Sequence, residues 1–459
     1  MTQEPRSAQL TQTDIRELAA RIDGAVVVPT DEGWDAARQA WNLAADQRPA
    51  AVAVPDNVGD VVEIVEFARE AGFRVAPQGT GHGAMAMGDL ADTILVKLHE
   101  LRSVTVDPES QTVRAGAGTI WTEVVEAAAE HGLAALAGSS PDVGVVGYTL
   151  GGGLSWLGRK YGIGANEVTA IEVVTADARL HRVDRDSEPD LFWALRGGGG
   201  NFGIVTAIEF RLFPISEVYA GILWFPVDRA GEVLAEWRAW TDGLPDETTS
   251  VGRILQLPPL EEIPEPVRGK SFVVVEVIHC GSEDEGRELV APLRALGPVM
   301  DTIETIPVPA LAHLHMDPEH PVPGSGDGMA LDDLDAAAID AVVSNTVGAP
   351  LLSVEIRHLG GAIARSRPEH GAVASFEAPF LLFAIGITPT PEALAAVQHS
   401  VATLRESLAR WESGHTYLNF AETRRKPSTL WSETSYHRLR RIKAAVDPLN
   451  LIRSNHELD

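Results

Sequence analysis

The chain has 459 residues, 45% of them apolar, a mean hydropathy of +0.00 and a formal net charge of −28. That length suggests about two to four domains, and the composition supports packed cores. The acidity argues against general binding to nucleic acid or anionic membranes, and a single cysteine, Cys280, excludes an internal disulfide framework and fits a reducing compartment.

The N-terminal stretch Met1–Ala20 is polar and mixed in charge, without the apolar centre of a signal peptide. The most apolar run, Phe380–Ile387, falls far short of the ~18 residues that span a bilayer. A cytoplasmic protein with no membrane partner and no nucleic-acid partner is the expectation.

Taken in order, residues 1–45 read as a helical lead-in of low information. Ala50–Val54 is a strand ended by Pro55. Asn57 caps a helix that stops at Gly72, and Phe73–Ala76 is the next strand. Thr93–Leu98 is a strand, and Val104–Val106 with Thr112–Ala115 bracket a turn at Asp107-Pro-Glu-Ser. Thr119 is expected to cap a helix reaching His131. Glu167–Thr175 and Arg179–Val183 read as a hairpin, Asp190–Arg196 as a short helix. From about Ser216 long strands alternate with amphipathic helices, among them Ser250–Leu257, Phe272–Ile278, Val299–Ile306, Leu351–Arg357 and Phe380–Ile387. Asp317–Gly328 is expected to be a loop and Leu331–Val343 a helix. Cys280 ends an apolar strand, where a buried structural thiol is expected. At Thr416–Phe420 the pattern of the N-terminal half resumes, with a helix near Ser432–Ala445.

Three glycine-rich segments stand out. Val75–Ala84 runs from a strand into Gly79, Gly81 and Gly83 around His82. Glycines let a ligand approach the backbone and present free N–H groups to it. His82 could be a base, a metal ligand, a covalent anchor or an incidental turn residue. Gly138–Gly153 is too rich in glycine for a stable helix. The third segment, residues 198–203, formally matches G-x-G-x-x-G but lies between a helix and a strand, the reverse of a dinucleotide fingerprint.

Other chemistries find little support. His313, His315 and His320 cluster with Asp317 and Glu319, yet residues two apart do not share a helix face, and no paired zinc-ligand motif accompanies them; no metal is expected. A nucleophile elbow and a Walker loop are both missing. Three glycine-rich segments in one region suggest a long cofactor with a pyrophosphate and a flat ring system.

The residues then carry a resemblance. Gln78-Gly-Thr-Gly-His-Gly83, Val143–Gly153, Arg159-Lys-Tyr-Gly162, Asp190–Gly197, Gly200–Val205, Leu359–Ala362, Tyr417-Leu-Asn-Phe420 and Asp447-Pro-Leu-Asn450 occur together and in order. In these the chain resembles the berberine-bridge-enzyme-like FAD-linked oxidases of the vanillyl-alcohol-oxidase superfamily, from about residue 46 to its end.

The resemblance implies an α+β fold with a two-part FAD-binding domain made by both chain ends, 1–215 (PCMH-type over about 46–215) and 415–459. An inserted α/β substrate domain on a large antiparallel sheet would occupy 216–414. It implies FAD contacts from Pro77, Gln78, Gly79, Thr80, Gly81, His82, Gly83, Gly138, Ser139, Ser140, Val143, Gly144, Gly147, Gly152, Gly153, Tyr161, Gly162, Val205 and Asn419. His82 matches the histidine that relatives join to the flavin 8α-methyl carbon. Ser140 stands where many members place a second, cysteine link, and a hydroxyl lacks thiolate chemistry; one covalent bond is expected.

Val143 occupies the position associated with oxygen access. Tyr417 and Glu355 are the candidate catalytic groups. Tyr417 would need a depressed phenol pKa to act as a base, and Glu355 shares a strand face with Arg357. The implied reaction is hydride transfer from a small alcohol, sugar-like hydroxyl, amine or specialised metabolite to FAD, with dioxygen as acceptor and hydrogen peroxide as product. A dehydrogenase with another acceptor, or a non-catalytic flavin-binding protein on the same scaffold, is the alternative.

Overall fold

The computed structural model describes residues 12–261, 263 and 265–458; the first half of the polar N-terminal stretch lies outside them. Strands β1 (Ala25–Val27), β2 (Ala51–Val54), β3 (Arg74–Gln78) and β4 (Thr93–Lys97) form one sheet in the order β1-β2-β4-β3. β4 runs parallel to both β2 and β3. The near-continuous apolar character of β2 and β4 follows from cover on both faces. The helix Val58–Ala71 connects β2 to β3. Asn57 caps it by accepting from Asp60 N, and Gly72 ends it at φ 78°.

A second sheet, antiparallel throughout, joins β5 (Val104–Asp107), β6 (Thr112–Gly116), β7 (Val168–Val174), β8 (Leu180–Asp184) and β9 (Ile204–Arg211) in the order β5-β6-β9-β7-β8. The third sheet has eight strands: β10 (Glu217–Pro226), β11 (Thr248–Gln256), β12 (Ser271–His279), β13 (Met300–Asp301), β14 (Glu304–Pro307), β15 (Gly324–Leu331), β16 (Ser353–His358) and β17 (Phe380–Ile387). Its main order is β13-β10-β12-β11-β16-β17-β15, with β14 also on β10, and every pairing is antiparallel.

Alternation along these strands decides where the site lies. Ile254, Val275, Val354, Ile356, Leu382 and Ala384 point to one face. There they pack on Trp237, Val290, Ile339, Val342, Val401 and Leu404 of four covering helices. The intervening residues, Arg253, Glu276, Glu355 and Arg357, therefore occupy the opposite face. Trp156, Leu157, Val251 and Leu255 form a core on that side. The chain's end returns to the first sheet. Val75 N donates to Leu451 O and Arg453 N to Val75 O, and buried Lys443 donates to Asp447, Asn201 O and Ile452 O.

Several local expectations are corrected. The lead-in is not wholly helical: after a helix at Gln12–Leu18 it supplies β1, antiparallel to β2. The expected loop 317–328 ends in a fully buried strand, β15, and the following helix begins only at Ala336. The glycines of β15 suit close packing rather than a turn. A methyl on Gly326 would stand 2.6 Å from Ala384 O, and one on Gly328 2.8 Å from Phe420 Cβ. Strand Val299–Ile306 is split into β13 and β14, and Trp121–Ala129 replaces the longer helix expected from Thr119. Despite its glycines, the second segment holds a short helix, Val145–Leu150. Tyr417–Phe420 is no strand: Leu418–Phe420 form a 3-10 turn. Cys280 is partly buried, and burial pushes its thiol up to about 11, which suits a structural rather than a reactive role.

Candidate functional site

The charged face of the eight-stranded sheet looks onto the glycine-rich segments across a cavity of about 800 Å³. Its wall includes Pro77, Gln78, Gly79, Thr80, Gly81, His82 and Gly83, and then Gly138, Ser139, Ser140, Val143, Gly144 and Gly147. Val205, Glu355, Tyr417 and Asn419 also line it. Gly152, Gly153, Tyr161 and Gly162 do not. Gly152 and Gly153 lie against the rings of Tyr417 and Tyr148, and Tyr161 stacks on Phe213 with centroids 4.0 Å apart. Gly162, at φ 102°, ends the short helix Gly158–Tyr161. These four shape the turns behind the wall.

His82 is held on three sides. Its Nδ1 lies 2.7 Å from the Thr80 hydroxyl, and its Nε2 lies 3.4 Å from an Asp142 carboxylate oxygen. Trp41 stacks on the ring, with centroids 3.9 Å apart and planes 19° apart. Gly81, at φ 93°, has no room for a side chain: its methyl would meet Ala40 Cβ at 2.9 Å. Asn42 bridges to the opposite sheet, donating to Gly324 O and accepting from Gly324 N.

Across the cavity the buried charges form a row. Arg253 pairs with Glu276 at 3.3 Å, His315 Nδ1 lies 2.7 Å from Glu276, and His315 Nε2 lies 2.6 Å from Glu355. Arg357 pairs with Glu355 at 3.0 Å, donates to Ser139 Oγ, and stands over the rings of Trp156 and Phe420. Asp317 accepts from Ser139 and Ser140. Burial and Arg253 oppose protonation of His315, but Glu276, Asp317 and Glu355 together outweigh them and raise it to about 9. Burial would raise Glu355, yet Arg357 and His315 hold it well below the usual carboxylate range.

These surroundings weigh against both candidate bases. The Tyr417 oxygen receives N–H groups from Gly153, Leu154 and the Asn419 amide, at 3.1, 3.0 and 2.7 Å. Burial nevertheless pushes its phenol up to about 12, the wrong direction for a base. Glu355, clamped by two cations, is a weak one.

Sequence reasoning missed Trp41, Asn42, Arg253, Glu276 and Glu422. Glu422 lines the cavity and accepts from Gly326 N at 2.8 Å. Its carboxyl is pushed up to about 7, chiefly by burial. His315 is visible in the sequence, but helical spacing argues against a shared face with its neighbours. Met316, at φ 57°, turns the backbone so that His315 and Asp317 both reach the cavity wall. His313 pairs instead with Glu319 at the surface. Among the described residues no cluster of three potential metal ligands occurs, and no helix is long and apolar enough to cross a membrane.

Known proteins share both ends of the chain. Residues 49–184 match the model described as FAD binding domain, and residues 416–458 match that described as berberine and berberine like. The (R)-6-hydroxynicotine oxidase of Paenarthrobacter nicotinovorans is 29% identical over 95% of this chain and 97% of its own. The chain carries an FAD-binding domain and a berberine-like C-terminal segment, and its relatives are FAD-linked oxidoreductases.

Other relatives of this oxidoreductase include the glucooligosaccharide oxidase of Sarocladium strictum, 34% identical over 41% of this chain and 38% of its own. The crystal structure of 6-hydroxy-D-nicotine oxidase from Arthrobacter nicotinovorans superposes with a TM-score of 0.81 at 26% identity, covering 95% and 98% of the two chains. Wild-type BBE-like 1 of Physcomitrella patens gives 0.84 at 19% identity over 97% and 99%, a likeness of fold.

The wall fits FAD. Cofactor pockets run to about 300–1,000 Å³, and Gly79 and Gly147 face the cavity with free space around them. Gln78 Oε1 is a buried polar atom of this wall without a hydrogen-bond partner among the described residues.

Proposed function

We propose that this oxidoreductase is an oxidase of a small alcohol, sugar-like hydroxyl, amine or specialised metabolite, with dioxygen as acceptor and hydrogen peroxide as product. Bound FAD would supply the hydride acceptor and the two-electron route to dioxygen. One observation carries this: a single cavity has glycine backbone from three segments on one side and a row of paired charges on the other. Relatives named for hydroxynicotine and for glucooligosaccharides support small-molecule oxidation.

In this proposal residues 1–215 and 415–459 hold the cofactor, residues 216–414 bind substrate, and the single cysteine supports a cytoplasmic setting. Wall residues 77–83 and 138–147 hold FAD, with backbone N–H groups from all of them except Pro77 and Pro141, and His82 is its one covalent hold. Ser140 is engaged with Asp317 and carries no thiol for a second link. Val143, partly buried in the wall, leaves room for dioxygen. The Glu355–Arg357 pair orients the substrate's polar group. Glu422 takes the substrate proton, because a carboxyl near 7 is matched to general-base work at neutral pH. Tyr417 fixes the turn at Gly153–Leu154.

The test is an anaerobic panel of alcohols, aldoses and amines added to the yellow holoprotein. At least one class is expected to bleach the flavin absorbance within the mixing experiment. A protein that stays yellow with every class would sink the enzymatic reading.

A further inference from the structure

The His82 corner contains more than a tether needs. Thr80, Trp41 and His82 line the cavity, whereas Asp142 stands behind the ring, outside the cavity wall. One Asp142 oxygen accepts the Trp41 indole N–H, and the other faces His82 Nε2 at 3.4 Å. Both the Nε2 and that second oxygen are buried, and neither makes a hydrogen bond among the described residues, so each is the other's nearest charged neighbour. Trp41 is itself fixed, since its backbone N donates to Thr80 O at 3.0 Å. It lies eight residues before the matched FAD-binding segment begins.

We propose that Asp142 and Trp41 are positioning residues for flavin attachment: Asp142 keeps the His82 proton on Nε2, and Trp41 holds both groups in line, so that Nδ1 faces the cavity as the nucleophile. This rests on the reading of His82 as the covalent hold. An imidazole attacks through one nitrogen when the other carries the proton, and a carboxylate beside a ring N–H fixes that tautomer. Stacking on an indole limits rotation of the ring without occupying either nitrogen. With the proton on Nε2, the Thr80 hydroxyl 2.7 Å away donates to the Nδ1 lone pair in the resting corner, and it must turn aside when that lone pair attacks.

In the linkage step a C–N bond forms between His82 Nδ1 and the flavin 8α carbon, and that carbon loses one proton. The second proton leaves Nε2 for Asp142. The electron pair goes to the flavin ring and then to dioxygen, which takes up two protons and departs as hydrogen peroxide. A neutral, alkylated imidazole remains.

The experiment uses purified holoprotein of the wild type, Asp142→Asn, Asp142→Glu and Trp41→Phe, each supplied with FAD. The flavin that stays in the acid-precipitated pellet is followed over time. Native absorbance after gel filtration reports non-covalent binding separately. Asp142→Asn keeps size but loses the proton acceptor, so linkage should slow by about 100-fold while the native protein stays yellow. Asp142→Glu should recover much of the rate, and Trp41→Phe should fall between, because it keeps the stack and loses the N–H to Asp142. Linkage at the wild-type rate in Asp142→Asn would overturn the proposal. Should that variant fail to retain FAD, Trp41→Phe decides, and an unchanged rate there overturns it. A colourless wild-type pellet would instead remove the tether on which the proposal rests.

Discussion

Glu422→Gln is expected to slow reduction of the flavin by substrate by about 10²- to 10⁴-fold. The carboxyl lies in the cavity wall, with one oxygen anchored by the Gly326 N–H. Burial, and then the charge of nearby Asp327, push it up to about 7. A base in that range is substantially ionised at neutral pH and still holds a proton well. Tyr417, at about 12, keeps its own proton, and Glu355 holds one too weakly. Glutamine preserves the volume and its carbonyl can still accept from Gly326, so folding should survive. The wild-type reduction rate should rise with pH through about 7 as Glu422 ionises, and the variant should lose that limb. Stopped-flow reduction on both sides of that value checks both effects. An unchanged profile in the variant would remove Glu422 from the chemistry.

Glu276→Gln should be the most damaging substitution for stability, at about 3–5 kcal/mol. Glu276 is fully buried between Arg253 and His315. Both His315 nitrogens meet carboxylates, which accept only, so the ring is an imidazolium. Arg253, His315 and Arg357 then balance Glu276, Asp317 and Glu355. Removing one negative charge leaves a buried, uncompensated cation. The same row makes stability depend on pH. His315 has a folded value of about 9, above its ordinary 6.5, so its contribution is fully present below 6.5 and is lost as pH rises through about 9. Urea unfolding should therefore show the wild type losing about 2 kcal/mol between pH 7 and pH 9. Glu276→Gln should flatten that slope, because His315 loses a carboxylate that raises it. A variant within about 1 kcal/mol of wild type, with the slope intact, would contradict this account of the row.

Much of the cofactor side was legible because glycine is informative at short range. The loop 77–83 needs backbone approach and a positive φ at Gly81, and those demands appear in the letters themselves. The helix Val58–Ala71 was equally plain, from Asn57 to Gly72. The strand β15 was not. Its Gly-Ser-Gly-Asp-Gly pattern imitates a loop, and only contact with Ala384 O and Phe420 explains why the glycines are there. The charged row was hidden for another reason. Arg253, Glu276, His315, Glu355 and Arg357 come from three strands and a loop, and no local period connects them. His315 and Asp317 are incompatible on helical spacing, and the left-handed backbone at Met316 removes that conflict. Trp41 was lost in a segment without visible periodicity, although it covers His82.

The reaction of the reduced holoprotein with air tests the central claim most directly. The protein is reduced anaerobically with one equivalent of dithionite, which needs no knowledge of the substrate, and is mixed with air-saturated buffer while flavin absorbance and hydrogen peroxide are followed. An oxidase with Val143 in the cavity wall should reoxidise far faster than free reduced flavin and release one hydrogen peroxide per flavin. Reoxidation slower than free flavin, with rapid turnover only on an added artificial acceptor, would contradict the assignment of dioxygen as its acceptor.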